Sequence, residues 1–234
     1  MIQMAASIRQ VLSNTASSRP DDIWLVTPET DTSFSWKETD QRAETIACYL
    51  QGAGLSKGAS VAVAAPNGAA ASFAFLGIVF GGFRATPLNL VAGVKTLSFV
   101  LNHSKTEMIL CADDCRALVD QAVAGLVETG KTKPRIISMD IDDGPRWAET
   151  KIIPAKPIEL HAPSSNTIGL LMYTSGTTGV PKGVLLSHAN LIAAGANVMD
   201  AHKLTRADTG MCILPIYHIN GLCVTVMGTL VSSS

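Results

Sequence analysis

Residues 173–183 run Tyr-Thr-Ser-Gly-Thr-Thr-Gly-Val-Pro-Lys-Gly. Four hydroxyl side chains, Thr174, Ser175, Thr177 and Thr178, are interleaved with Gly176 and Gly179, and Lys182 follows three residues after the second glycine. Glycine at these places lets the backbone turn sharply and approach a ligand with no Cβ in the way. Successive N–H groups in such a turn form a concave nest for anions. The hydroxyls add donors without charge, and the lysine supplies a mobile positive charge. The chemistry this combination suits is the binding of a nucleotide polyphosphate.

The spacing differs from that of the common P-loop, which needs a glycine directly before the lysine and a serine or threonine directly after it. Here Pro181 precedes Lys182 and Gly183 follows it. Apolar runs flank the stretch at 168–173 and 183–188, and a helix pattern begins only at about residue 189. The loop is therefore expected to join two strands, so that no helix dipole starts at the phosphate. A glycine- and threonine-rich hairpin that binds nothing is the plainer alternative. Eleven residues combining hydroxyls, glycines and Pro-Lys-Gly argue against it.

A second candidate is His218, in Pro215-Ile-Tyr-His-Ile-Asn-Gly221, where a polar turn interrupts an apolar run. Residue type alone favours a core histidine satisfied by backbone hydrogen bonds. His188, directly after the second apolar run, reads as structural, whereas His103, His161 and His202 read as surface residues. Asp113-Asp114 and the trio Asp140, Asp142 and Asp143 have metal-site composition, but loop solvation and helix capping account for them more simply.

The stretch from Thr174 to Gly183 resembles the signature loop of the adenylate-forming, or AMP-binding, enzymes. That family includes acyl- and aryl-CoA synthetases, firefly luciferase and the adenylation domains of peptide synthetases. Four further blocks resemble the family in its order: Phe34-Ser-Trp-Lys-Glu-Thr-Asp40, Gly58 to Asn67, Phe83-Arg-Ala-Thr-Pro-Leu-Asn89, and Leu214-Pro-Ile-Tyr-His-Ile-Asn-Gly221. The fold this implies is α/β: the amino-terminal subdomain of the acyl-CoA synthetase-like fold, a largely parallel sheet flanked by helices, and truncated.

The resemblance also implies roles. Thr174, Ser175, Gly176, Thr177, Thr178, Gly179 and Lys182 would embrace the β- and γ-phosphates of ATP, with Thr178 reaching Mg2+ through the nucleotide. Lys182 and His218 take the catalytic places. Tyr217, His218, Asn220 and Gly221 line the acid pocket, with His218 orienting the carboxylate. The implied reaction joins a small carboxylic acid to coenzyme A through an acyl-adenylate, and carries an expectation of fatty acid metabolism. Members run to about twice this length, and the downstream Tyr-Gly-x-Thr-Glu and Thr-Gly-Asp motifs do not occur in these 234 residues. The expectation is therefore the amino-terminal part of a ligase, lacking the carboxy-terminal half and inactive alone. Alternatives are a fatty-acyl-AMP ligase or peptide-synthetase adenylation fragment that loads a carrier protein, or a non-catalytic nucleotide-binding fragment.

The elements that must position these residues alternate, strand with helix, as in an α/β fold with a mainly parallel sheet. Helices are expected over 37–52, 69–82, 94–102, 116–128 and 189–202, the last capped by Ser187. Strands are expected over 60–65, 86–90, 107–112 and 134–139, with a polar connection at 140–166. Residues 1–18 read as an ordinary first helix, not a signal peptide. Residues 1–166 are assigned to an amino-terminal α/β subdomain. Residues 167–234 are assigned to the loop hairpin, its following helix and the start of a further segment. The uncharged stretch 209–234 is read as a strand, a polar turn and a helix start. Pro66-Asn67-Gly68 divides the other uncharged stretch, 58–83, so neither supplies the ~20 uninterrupted apolar residues of a membrane span.

Composition agrees. With 47% hydrophobic and 16% charged residues a sizeable core can form. A net charge of −1 without a basic run gives nucleic acid nothing to bind. Five cysteines without a Cys-x-x-Cys pair read as buried, reduced thiols, which suits a cytoplasmic setting.

Overall fold

The computed structural model describes residues 7–128, 130–174 and 180–234. Helix α1 (Ile8–Ser18) leads into a hairpin of β1 (Ile23–Thr27) and β2 (Thr32–Ser35), and α2 (Trp36–Gly52) follows at once. Then come β3 (Ser60–Ala64), α3 (Ala69–Phe80), β4 (Arg84–Pro87), α4 (Val94–His103) and β5 (Thr106–Ala112). The alternation continues through α5 (Arg116–Glu128), β6 (Arg135–Asp140) and the two-residue β7 (Gly144–Pro145). Last are β8 (Ile168–Thr174), β9 (Lys182–Ser187), α6 (His188–His202), a π-helix (Asn220–Met227) and α7 (Gly228–Ser232).

One seven-stranded sheet has the order β7-β6-β5-β3-β4-β8-β9. Its five inner strands are parallel, and only the edge strands β7 and β9 run against their neighbours. Both faces are covered, and β3 at the middle of the sheet is buried along its whole length. Period-two alternation sends Val61, Val63, Met108 and Leu110 into one core, and Ala62, Ala64, Ile109 and Cys111 into the other. The first core is closed by α1, α2 and α3, the second by α4 and α5.

Helix α3 is the centre of the first core. All twelve of its residues are buried, which explains why its sequence is apolar on every side. Gly77 sits where α2 crosses it: a Cβ there would lie 2.5 Å from Ile46 Cβ. A mid-helix glycine costs about 1 kcal/mol relative to alanine, so this close crossing is what offsets it. Capping boxes start two helices. Ser35 and Glu38 exchange side-chain and backbone bonds at α2, and Ser187 and Asn190 do so at α6. The Ser35 backbone N–H, then its hydroxyl, hold the Glu38 carboxyl below its ordinary range.

Several expectations need correction. The strand expected at the start of 209–234 does not form: among the described residues 209–219 pair with no neighbouring strand, and regular structure resumes only as a π-helix. β-branched and apolar content alone made them strand-like, but a strand forms only where a ladder partner lies alongside. The β1–β2 hairpin was not expected, nor was β7 within the 140–166 connection. Thr27 and Thr32 face each other at the turn of the hairpin, and Phe34 packs edge-on against Phe73 of α3 at 4.9 Å. The fourth strand begins two residues earlier than expected, at Arg84. His161 is half-buried against the Phe83 ring and is not a surface residue.

Candidate active site

The carboxyl ends of β3, β4, β5, β6 and β8 share one edge of the sheet, where α/β folds commonly bind their ligands. The Thr174–Gly183 stretch leaves β8 at that edge and returns through β9. Tyr173 pairs with Gly183 and Thr174 with Lys182. The expected strand–loop–strand arrangement is therefore present, and the following helix starts only at His188. Directly opposite residues of an antiparallel pair project from the same face, roughly 5 Å apart at Cβ, so Thr174 and Lys182 stand together at the mouth of the loop. Lys182 is exposed. Ser175, Gly176, Thr177, Thr178 and Gly179, with the Mg2+ role assigned to Thr178, lie outside the described residues.

The stem is anchored on both sides. Tyr173 is half-buried, and its hydroxyl lies 2.8 Å from His103 Nδ1 at the end of α4. Burial pushes its phenol up from the ordinary value. Gly183 makes room for it: a Cβ there would meet Leu171 Cδ1 at 2.9 Å and the Tyr173 ring at 3.4 Å. His103, read from the sequence as an uncommitted surface residue, thus has a partner; it also stacks on Phe99 at 5.4 Å.

His188, at the first position of α6, is fully buried. Its Nδ1 accepts the backbone N–H of Ile8 at 3.0 Å, which satisfies one of the orphan donors at the start of α1. Its Nε2 has no partner among the described residues. Gly169 of β8 leaves space for the ring, since a Cβ there would lie 3.4 Å from Nε2. Burial lowers its pKa from 6.5 to about 4, so the ring is neutral at physiological pH. The reading of His188 as structural agrees with this arrangement, although the backbone it caps is the start of α1.

At the same carboxyl edge lies the segment that bears the second candidate. Ile216 and Tyr217 line a void of about 10 Å³ with Phe75 of α3 and Leu222 of the π-helix. That is roughly room for one water. His218 is exposed. Its Nδ1 accepts from the Asn220 N–H at 3.3 Å, and its own N–H donates to the Pro215 carbonyl at 2.9 Å. Asn220 is also exposed. Gly221 is buried against the chain, where a Cβ would lie 2.3 Å from the Pro215 oxygen. Its residue type is set by that close approach.

A larger cleft of about 290 Å³ opens at the ends of β3, β5 and β6, walled by residues 65–68, 112–114 and 139–141. Sequence reasoning did not foresee it, because its walls come from three turns far apart in the chain. Two of the aspartates there are engaged structurally. Asp140 Oδ1 accepts the N–H groups of Asp142 and Asp143 at 3.1 and 3.2 Å, and Asp113 pairs with Arg146. The two backbone bonds hold the Asp140 carboxyl below its usual range. All five cysteines are free, and burial pushes Cys111 up to about 12 and Cys223 to about 11. Those thiols are protonated and inert. Among the described residues no helix is long and apolar enough to cross a membrane.

The profile of the AMP-binding enzyme family matches residues 12–234, and the chain belongs to that family. It is 36% identical over 217 residues to the sulfoacetate–CoA ligase of Cupriavidus necator, which covers 92% of this chain and 42% of that protein. It is 27% identical over 210 residues to 4-coumarate–CoA ligase 1 of Petroselinum crispum, with 86% and 37% covered. The fold matches the amino-terminal domain of FACL13 from Mycobacterium tuberculosis with a TM-score of 0.80 at 23% identity, over 97% of this chain and 56% of that one. ATP-bound MatB from Rhodopseudomonas palustris matches with a TM-score of 0.78 at 23% identity, over 97% and 44%. The chain thus spans less than half the length of these curated relatives.

Proposed function

We propose that this chain is the amino-terminal part of an ATP-dependent ligase that activates a small carboxylic acid as its adenylate and passes it to coenzyme A. The observation that carries the reading is the β8–β9 stem, with Thr174 opposite Lys182 at the carboxyl edge of the sheet. A hydroxyl and an exposed ammonium at the mouth of a glycine-rich loop are the donor set a polyphosphate needs. Ser175, Thr177 and Thr178, with the N–H groups around Gly176 and Gly179, would complete the nest. Mg2+, held through the nucleotide near Thr178, would neutralise phosphate charge.

In the first half-reaction a carboxylate oxygen attacks the α-phosphorus of ATP, the bond to the β-phosphate oxygen breaks, and pyrophosphate leaves. A thiol then attacks the acyl carbon, loses its proton to solvent, and AMP departs with the bridging oxygen. The protein's work is to hold two anions in line, and such positioning contributes ~7–11 kcal/mol. Lys182 screens the leaving pyrophosphate, and His218 with Tyr217 orients the acid. The curated relatives act, by their names, on sulfoacetate, oxalate and 4-coumarate, so a small carboxylic acid fits this reading better than fatty acid metabolism. Five free thiols, four of them buried, support a cytoplasmic setting.

Two consequences are open to measurement. Sulfoacetate, the acid named for the 36% relative, is expected to bind this chain weakly but saturably in saturation-transfer NMR. Replacing His218 with alanine removes a charge-assisted hydrogen bond and is expected to weaken that binding roughly 10- to 100-fold. Unchanged affinity would remove His218 from the site. Alone, the chain is expected not to catalyse exchange between ATP and pyrophosphate, because it offers phosphate contacts without the family's downstream motifs. Exchange by the purified 234 residues would contradict that.

A further inference from the structure

The segment that carries Tyr217 and His218 has no strand beside it among the described residues, yet one side chain holds it in the manner of a strand. Asn67 lies in the turn between β3 and α3. Its Nδ2 donates to the carbonyl oxygens of Leu214 at 2.9 Å and Cys212 at 3.2 Å. Its Oδ1 accepts the N–H of Ile216 at 2.9 Å. These bonds bridge 145 to 149 residues of sequence. A primary amide carries two donors and an acceptor in one plane, so asparagine serves both polarities of the facing backbone, as a neighbouring peptide would. Aspartate would keep only the acceptor, and an aliphatic residue would keep nothing.

The turn that presents the amide is itself fixed. Pro66 precedes Asn67, and Gly68 follows at φ +147°, a conformation that favours glycine. Ala69 and the buried α3 come next, with the Ala70 N–H bonded to the Ile141 carbonyl at 3.1 Å. Asn67 is thus held by the sheet on one side and by the central helix on the other. From Ile216, the residue it grips, the chain passes directly to Tyr217 and His218.

We infer that Asn67 is a positioning residue for carboxylate recognition, fixing the height of the 212–218 segment above the carboxyl edge and so the placement of Tyr217 and His218. This rests on the reading that His218 orients the acid. Asn67 does not touch the acid; it acts through Ile216. Asn67 is an exposed residue, so its loss affects where the segment sits far more than whether the protein folds.

The test compares sulfoacetate and magnesium pyrophosphate binding in the wild-type chain, Asn67→Ala, Asn67→Asp and His218→Ala, alongside amide hydrogen exchange. Asn67→Ala is expected to weaken sulfoacetate about tenfold, to leave pyrophosphate within about twofold, and to speed exchange at the Ile216 amide while α3 stays protected. Asn67→Asp keeps the Ile216 bond, so Ile216 protection persists while sulfoacetate affinity recovers only in part. A parallel loss of both ligands, or no change in either ligand, overturns the inference. If His218→Ala abolishes sulfoacetate binding and Asn67→Ala does not, the positioning role fails and the reading of the site stands. If the wild-type chain binds no sulfoacetate, or His218→Ala leaves it unaltered, the reading of the site fails and takes the inference with it.

Discussion

Replacing His188 with alanine is expected to lower the unfolding free energy by about 3–5 kcal/mol. The substitution empties a fully buried site and leaves the buried Ile8 N–H without an acceptor, at the point where α1 meets α6. Urea unfolding at neutral pH measures it directly. A loss below about 1 kcal/mol would mean that α1 docks independently of the histidine. The same residue makes stability depend on pH. In the folded state the ring titrates near 4, whereas in the unfolded chain it titrates near 6.5, so between these values the unfolded state binds more protons. The contribution is therefore fully present above about pH 6.5 and is lost as pH falls towards 4, amounting to about 3 kcal/mol. His188→Asn supplies an acceptor near the position of Nδ1 but cannot titrate. Over this window its stability should fall less than the wild type's, and equal slopes would remove His188 as the cause.

Gly221→Ala carries the second large effect. The added methyl would lie 2.3 Å from the Pro215 oxygen and 2.6 Å from the Leu214 oxygen, and both are backbone atoms that no rotamer change can move. Relief requires residues 214–215 to shift, which draws the Leu214 carbonyl from Asn67 and moves Ile216 and Tyr217 off Phe75. Overpacking of this kind destabilises by about 1–3 kcal/mol, and a backbone collision belongs at the upper end. The functional loss should be larger than the stability loss. Sulfoacetate binding is expected to fall at least tenfold while the sheet keeps its exchange protection. Wild-type affinity in Gly221→Ala would show that the turn tolerates the shift and that its glycine has no structural reason.

How much of this was legible in the sequence follows from the range of the interactions involved. The strand–loop–strand character of 168–188 was readable because Pro181 and Gly183 are local signals, and the Ser187 cap is read three residues away. Helix α3 was readable because Pro66-Asn67-Gly68 interrupts an otherwise unbroken apolar run. The start of the 209–234 stretch was misread because a strand needs a partner, and the chain supplies instead a single amide from residue 67. Sequence inspection identified Asn67 as a turn former, which it is. Its second task depends on contacts almost 150 residues away, and no local pattern encodes them. His188 shows the converse: its place after a strand marked it as structural, but its partner at Ile8 and its unprotonated ring emerge only from packing. The cleft at the ends of β3, β5 and β6 was invisible for the same reason.

In the function proposed above, residues 174–183 form a polyphosphate site on a stem that pairs Thr174 with Lys182. Its most direct test is calorimetric titration of the chain, and of Lys182→Ala, with magnesium pyrophosphate. The account predicts saturable binding by the wild type, and a loss of roughly tenfold or more in Lys182→Ala with the unfolding curve unchanged. Absence of wild-type binding, or equal affinity in the two proteins, would contradict it.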